Sequence, residues 1–283
     1  HINDVWIGVD VYEEYLMRYK KPTVDMTDVR VRGILQEGID ILVFFIDYFN
    51  QHDVKAIDSS HIGVRLKSNL VPKIAGQLFN IPYYSAHARS VIYYPEPHLY
   101  HEAIKNEYMS YPSLFKSLDK KSQKEGLSWA KKRLDLRMSG NIGVDMSYST
   151  KSAFTEIDYE NTIVKDPSEI NVLICTHEFY DSPNCYGGLL FTDFYEWLIY
   201  LSKLSKKTNY NWYVKTHPDA HHSSVDIIKS IVSENENFCL VPKNTSFKQL
   251  AYEGMDFALT CYGTIGHELP LLGIQVINAG VSP

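Results

Sequence analysis

Tyr262-Gly263-Thr264-Ile265-Gly266-His267-Glu268 places two glycines, a hydroxyl and a carboxylate within a few positions. Apolar residues before it (Phe257 to Cys261) and after it (Ile265 to Leu272) predict a strand running into a helix. Glycines let a backbone approach a ligand closely, and a helix N-terminus carries about half a positive charge. With a hydroxyl from Thr264, this makes a phosphate cradle in which Gly263, Thr264 and Gly266 face the anion. Glu268, one turn on, is placed to accept ribose hydroxyls, by analogy with dinucleotide folds. The same string also reads as an ordinary glycine turn, capped by Thr264 and with Glu268 facing the first-turn dipole.

Two further strand ends carry polar chemistry. Lys215-Thr216-His217-Pro218 follows an apolar run, so Pro218 fixes a turn and His217 sits where ligands of parallel sheets bind. His217 suits a phosphate oxygen or a base, and Lys215 adds a cation. Ser246 offers a hydroxyl after the next strand. His177-Glu178-Phe179-Tyr180-Asp181-Ser182-Pro183 follows another strand. There His177 is a binding candidate and Asp181 a general-base candidate, or else the start of an Asx turn. Gly187-Gly188 gives that loop mobility. Asp58-Ser59-Ser60-His61 ends an earlier strand and makes His61 the competing base. His217 and His221 have i, i+4 spacing, but Pro218 breaks the local helix and no acidic ligand pattern accompanies them. No metal site is expected.

Other chemistries lack their motifs. The sequence has no Gly-x-x-x-x-Gly-Lys-Ser/Thr loop, no Gly-x-Ser-x-Gly elbow and no Asp-x-Asp. Metal-independent binding of a nucleotide follows, with no cofactor beyond the substrate.

The elements that position these residues form two series. Helix 30–52, strand 54–60, helix 69–80 and strand 82–86 read as strand–helix–strand, the repeat of a parallel α/β sheet. Residues 98–121 read as helical hairpin material broken at Pro112, and 122–139 as a charged helix ending at Gly140. Residues 141–169 show no period and read as an interdomain linker. Five strands then alternate with four helices: strands at 171–175, 212–215, 238–241, 257–261 and 275–278, helices at 191–204, 224–233, 247–252 and 265–272. That alternation predicts a doubly wound sheet. The expected domains are 1–160, a Rossmann-like domain with a helical insertion on the acceptor side, and 161–283, a Rossmann-like donor-binding domain.

Composition narrows the class. The chain has 283 residues, 45% of them hydrophobic, enough for a real core. A net charge of −6 argues against a nucleic-acid partner. Four cysteines without a C-x-x-C pair suggest neither a disulfide scaffold nor zinc, so a reducing, cytoplasmic setting is expected. The charge is uneven: residues 1–137 carry +2 and all seven arginines, residues 138–283 carry −8 and none. A donor half without arginine would hold an anion by lysine, hydroxyls, backbone N–H groups and helix dipoles.

The string Lys215-Thr216-His217-Pro218, then Ser246, then Tyr262 to Glu268 with Leu272-Gly273-Ile274-Gln275-Val276-Ile277-Asn278 resembles the donor domain of bacterial surface-polysaccharide glycosyltransferases of the GT-B fold. Capsule and lipopolysaccharide proteins, including Kdo transferases, are the nearest likeness. A strand-end His-Pro and a later Ser/Thr-bearing helix start also resemble bacterial sialyl- and polysialyltransferases, which hold CMP there. The resemblance covers roughly 170–283 well and the first half in outline. It implies an α/β protein of two Rossmann-like domains facing each other across a cleft, here truncated at the ends. It further implies a nucleotide-sugar donor and an acceptor glycan or glycolipid. His217 and Thr264 would contact nucleotide phosphate or base, Glu268 the ribose, and Asp181 or His61 would be the base. A peripheral position on the inner face of the cytoplasmic membrane, beside other polysaccharide-assembly proteins, fits the same picture. Gly-Thr stands where the sialyltransferase pattern has paired serines, so donor base and sugar stay open. A glycerophosphate or alditol-phosphate transferase, a nucleotide-sugar 2-epimerase and a non-catalytic sugar-binding protein are the alternatives.

Overall fold

The computed structural model describes residues 2, 4–58, 65–86, 91–96, 100–144, 150–184 and 188–281, with backbone alone at 100–108. Ser59, Ser60, His61 and Gly187 lie outside the described residues. The chain divides into two compact units, His1–Asn106 with Phe179–Gly188, and Glu107–Glu178 with Leu189–Pro283. The expected boundary at 160/161 falls inside the second unit, and Asp181 belongs to the first.

The first unit holds α1 (Gly8–Tyr19), α2 (Val29–Gln51), β1 (Ile57–Asp58), α3 (Leu66–Phe79), β2 (Tyr83–Ala86) and β3 (Val91–Tyr94). Its core joins Tyr15 and Leu16 of α1 to Ile34 and Leu42 of α2 and to Leu70 and Ile74 of α3. β1 and β2 are parallel and bracket α3, as the strand–helix–strand pattern predicts. β3 runs antiparallel to β2. Only residues 87–90 separate them, too few for the crossover that a parallel neighbour requires. Among the described residues this unit is therefore a small mixed sheet, and the Rossmann-like expectation for it is corrected to that extent. α1 buries three carboxylates. Asp10 pairs with Lys73 of α3 at 2.7 Å, and Glu14 accepts the Leu66 N–H at 3.1 Å at the start of α3.

α4 (Tyr100–Ser117) runs on through Pro112, where a break was expected. Beyond the proline, Ser113 and Ser117 hydroxyls each donate to a carbonyl three residues back at 2.7 Å, adding side-chain bonds to an exposed last turn. α5 (Lys120–Met138) follows, capped by Asp119, which accepts the Lys121 and Ser122 N–H groups at 2.9 and 3.0 Å.

The second unit continues with β4 (Asn171–Cys175), α6 (Phe194–Ser205), β5 (Asn211–Lys215), α7 (His222–Ser233), β6 (Phe238–Leu240), α8 (Phe247–Tyr252), β7 (Phe257–Thr260), α9 (Ile265–Glu268) and β8 (Gln275–Asn278). All five strands are parallel, in the order β6-β5-β4-β7-β8. That is a doubly wound sheet, with its winding reversed between β4 and β7. β4 is buried along its length, as a central strand covered on both faces must be. α6 starts at Phe194, three residues later than the apolar pattern suggests, because buried Asp193 accepts the Glu196 N–H at 2.7 Å and caps it. The helix expected at 265–272 is one α turn followed by a 3-10 turn, Leu269–Leu272, with Pro270 at its start.

Residues 150–169 are no free linker. Phe154 and Val164 are 1% and 2% exposed and sit in the core of the second unit with Leu173, Tyr213 and Leu250. Ala153 O accepts from Phe247 N, and Glu253 accepts the Ile163 and Val164 N–H groups at 2.8 Å. This segment lacks a period because coil, not helix or strand, carries its buried residues.

Candidate functional site

The winding reversal puts the loop after β4 beside the loop after β7, at the carboxyl ends of the strands. His177 bridges them. Its Nε2 lies 3.2 Å from Tyr262 N, 3.4 Å from Cys261 N and 3.0 Å from Thr260 Oγ1. Two N–H groups pointing at Nε2 require it to be unprotonated, so the ring is neutral with its proton on Nδ1. The ring stacks on Phe194 at 4.7 Å, and burial, reinforced by nearby His217, pushes its pKa down to about 4. His177 thus holds the turn after β7 and is not an outward-facing ligand group.

That turn depends on two glycines. Gly263 has φ +103°, a left-handed conformation that side chains resist. A Cβ on Gly280, after β8, would come within 2.5 Å of the Tyr262 ring, so only glycine lets that buried tyrosine seat. Gly266 donates its N–H to Gly263 O at 3.1 Å, and Thr264 O accepts from His267 and Glu268. Thr264 stands at the start of α9 without capping it by its side chain. A single α turn also carries far less dipole than the long helix expected there.

A real cation stands in its place. Arg137, near the end of α5, donates Nε to Glu268 and holds Nη2 3.4 Å from Thr264 Oγ1. Its guanidinium lies 5.8 Å from the Phe154 ring centroid. The expectation of an arginine-free donor half is overturned, because the division falls at residue 106 and not in the 141–169 stretch. Nothing local in the sequence ties Arg137 to Glu268. The one signal was that α5 ends in an arginine beside Met138, a residue that packs on the second core.

The other expected residues divide into placed and spent. His217 is exposed at the end of β5; Asp219 N–H donates to its Nδ1 at 3.1 Å, which puts the proton on Nε2. Pro218 sits beside it, half-buried. Lys215 is 3% exposed and does not reach outward. Its Nζ donates to Lys243 O at 3.1 Å and lies over Phe247, and burial pulls its pKa down to about 8. Ser246 is 1% exposed; its hydroxyl donates to Thr155 O at 2.8 Å and accepts the Lys248 N–H, capping α8. Glu268 is 1% exposed and paired with Arg137, and its Oε2 has no hydrogen-bond partner. The expected ribose carboxylate is therefore shut inside the fold as it stands. Asp181 is exposed on the segment grouped with the first unit, and His61 lies outside the described residues.

Among the described residues no three His, Cys, Asp or Glu side chains gather as metal ligands. His221 caps α7, its N–H donates to Glu178 at 2.7 Å, and its ring lies 4.0 Å from that of His222. His221 is thus used as the start of α7, with His222 as the first residue of the helix.

No family model matches the chain, and no curated protein matches it by sequence. Among solved structures, it is similar to Thermosulfurimonas dismutans KpsC, a beta Kdo 2,4 transferase, at 16% identity and a TM-score of 0.45. That match covers 81% of this chain and 70% of the other.

Proposed function

We propose that the chain is a glycosyltransferase that moves a sugar from a nucleotide-activated donor onto a bacterial surface glycan. The observation that carries this reading is the β7–α9 turn. It lies at the winding reversal of a parallel sheet, is shaped by Gly263, and is braced by neutral His177 on one side and by Arg137 on the other. Doubly wound sheets bind nucleotides at that place, and a preformed turn that carries the Thr264 hydroxyl suits a leaving phosphate. His217, with its Nε2 proton, and the Thr264 hydroxyl supply hydrogen bonds to the nucleotide. Asp181, an exposed carboxylate, is assigned the acceptor hydroxyl proton in the same proposal. Glu268 takes a ribose hydroxyl on its unpartnered Oε2 only once binding opens a way to it.

The test is incubation with UDP-, GDP- and CMP-sugars, with and without oligosaccharide acceptors. Nucleotide release that requires an acceptor supports transfer. Sugar interconversion without acceptor makes the protein an epimerase, and binding without turnover makes it a sugar-binding protein.

A further inference from the structure

Arg137 and Glu268 form an unfinished pair. A guanidinium and a carboxylate often meet through two parallel N–H···O bonds, a geometry that satisfies both groups. Here a single bond joins them, from Nε to Oε1. Oε2 has no hydrogen-bond partner, although Glu268 is 1% exposed. Nη2 reaches Thr264 Oγ1 instead, at 3.4 Å, and no described residue accepts from Nη1.

As a brace for α5 this is incomplete. A buried carboxylate oxygen without a donor has lost its water and gained no bond in return. A guanidinium that served only to hold the helix would close its fork on both oxygens. Phe154 supports the guanidinium with a ring, 5.8 Å away at its centroid, and not with an acceptor. The Arg137 side chain is 17% exposed, so solvent reaches the cation where it does not reach Glu268.

The pair stands at the candidate nucleotide site. Glu268 ends α9, and Thr264 lies in the turn that Gly263 shapes after β7. Two needs are left open there, an acceptor for the guanidinium and a donor for Oε2. A phosphate meets the first and a sugar hydroxyl the second. A terminal phosphate also competes well for the fork, since it brings up to two charges and three acceptor oxygens where a carboxylate brings one and two. We infer that Arg137 is a phosphate-binding residue of the donor site and that Glu268 is its exchangeable partner. The donor's phosphate takes the guanidinium, and the released carboxylate turns to the donor's hydroxyls. This rests on the nucleotide-sugar reading above and names the side chain that receives the charge of the leaving group.

An exchange has a signature that a brace lacks. A ligand shifts an arrangement only by what it gains in the new one over the old. Glu268 competes with the phosphate, so removing its charge strengthens phosphate binding, and that gain depends on Arg137. A purely structural pair, once broken, leaves such binding unchanged or weaker.

The test is calorimetry of the full chain with inorganic pyrophosphate, a probe without sugar or base. Glu268→Gln is expected to bind it about tenfold more tightly than the wild type, the scale of one charged hydrogen bond. Arg137→Lys keeps the charge without the fork and should bind it about tenfold more weakly. Arg137→Met/Glu268→Gln should lose binding, and it should keep the wild-type circular dichroism because neither charge is left unpaired. That double variant keeps the test decisive where Glu268→Gln alone does not fold. Pyrophosphate affinity in folded Glu268→Gln at or below that of the wild type overturns the exchange, and so does a double variant that binds as the wild type does. The two readings fail separately. Acceptor-dependent sugar transfer, with pyrophosphate affinity unmoved by all three changes, overturns this inference and leaves the transferase standing. Arg137-dependent pyrophosphate binding that tightens in Glu268→Gln, in a chain that turns over no nucleotide sugar, supports the exchange and overturns the transferase.

Discussion

Arg137 and Glu268 are 131 positions apart in sequence and form one ion pair, with the carboxylate 1% exposed and the guanidinium 17% exposed. The pair locks the end of α5 to the helical turn after β7. Through Nη2 on Thr264 it also fixes the edge of the turn that the donor is proposed to meet.

Removing one partner should cost far more than removing both. Arg137→Met leaves a buried carboxylate uncompensated, an effect of about 3–5 kcal/mol. Glu268→Gln in that background should restore most of the loss, since a neutral amide needs no cation. Urea denaturation of the two single variants and the double gives the coupling energy. A coupling below about 0.5 kcal/mol would show the pair to be incidental.

Glu13 predicts a pH dependence of a different origin. It is 5% exposed on α1, Oε1 accepts the Asn184 N–H at 2.8 Å, and Oε2 has no partner. Burial raises its pKa from 4.5 to about 7, against the Asn184 hydrogen bonds and with help from the charges of Asp10 and Asp181. A carboxyl whose folded pKa exceeds its unfolded one keeps its proton longer in the folded state. Stability therefore declines as pH rises from about 4.5 to about 7, and the cost then stays constant at roughly 3 kcal/mol. Glu13→Gln keeps an oxygen for Asn184 and removes the titration. The variant should match the wild type at pH 4 and exceed it by about 3 kcal/mol at pH 8 in paired urea titrations. A difference that does not change with pH would refute the assignment.

His177 should stay neutral across the physiological range. With its pKa near 4, its Cε1 proton resonance should not move between pH 5.5 and 8. The folded pKa lies below the ordinary value of 6.5, so the ring contributes stability that is complete above about pH 6.5 and lost as pH falls toward about 4. His177→Leu strands the Tyr262 N–H and should cost about 1–3 kcal/mol. His177→Gln, which restores an acceptor, should recover part of that. A leucine variant as stable as the wild type would mean the turn does not need the imidazole.

The second sheet was legible because each strand is a short apolar run and each helix an apolar stripe, so periodicity alone recovers β4 to β8 and their order of alternation. α1 was not, because Asp10, Glu13 and Glu14 break its stripe. They are buried only by virtue of Lys73, Asn184 and Leu66, partners remote in sequence. Which candidate residues stay at the strand ends was half legible for a related reason. A strand-end His and a Gly-Thr turn announce themselves by type and place, and the structure leaves His217, Gly263 and Thr264 there. Whether a side chain faces out or is already bonded depends on remote partners. Lys215 is bonded to Lys243 O, Ser246 to Thr155 O and Glu268 to Arg137, and no local pattern encodes any of the three.

His217 and Asp181 give the paired prediction that separates binding from chemistry. His217 is exposed, and Asp219 N–H donates to its Nδ1, so a neutral ring carries its proton on Nε2. His217→Ala removes one hydrogen bond to a charged group, worth about 1.5–3 kcal/mol, and should weaken nucleotide affinity at least tenfold in calorimetry. His217→Gln, which keeps an N–H donor at similar reach, should recover part of it. Asp181 lies on the segment grouped with the first unit, whereas the proposed nucleotide turn belongs to the second. Asp181→Asn should leave nucleotide affinity within about twofold, while turnover with acceptor falls by about 10²–10⁴, the range for loss of a general base. Full turnover in Asp181→Asn moves the base elsewhere, with His61 next to be tested. Unchanged nucleotide affinity in His217→Ala removes the β5 end from the site, and leaves the β7–α9 turn to account for binding alone.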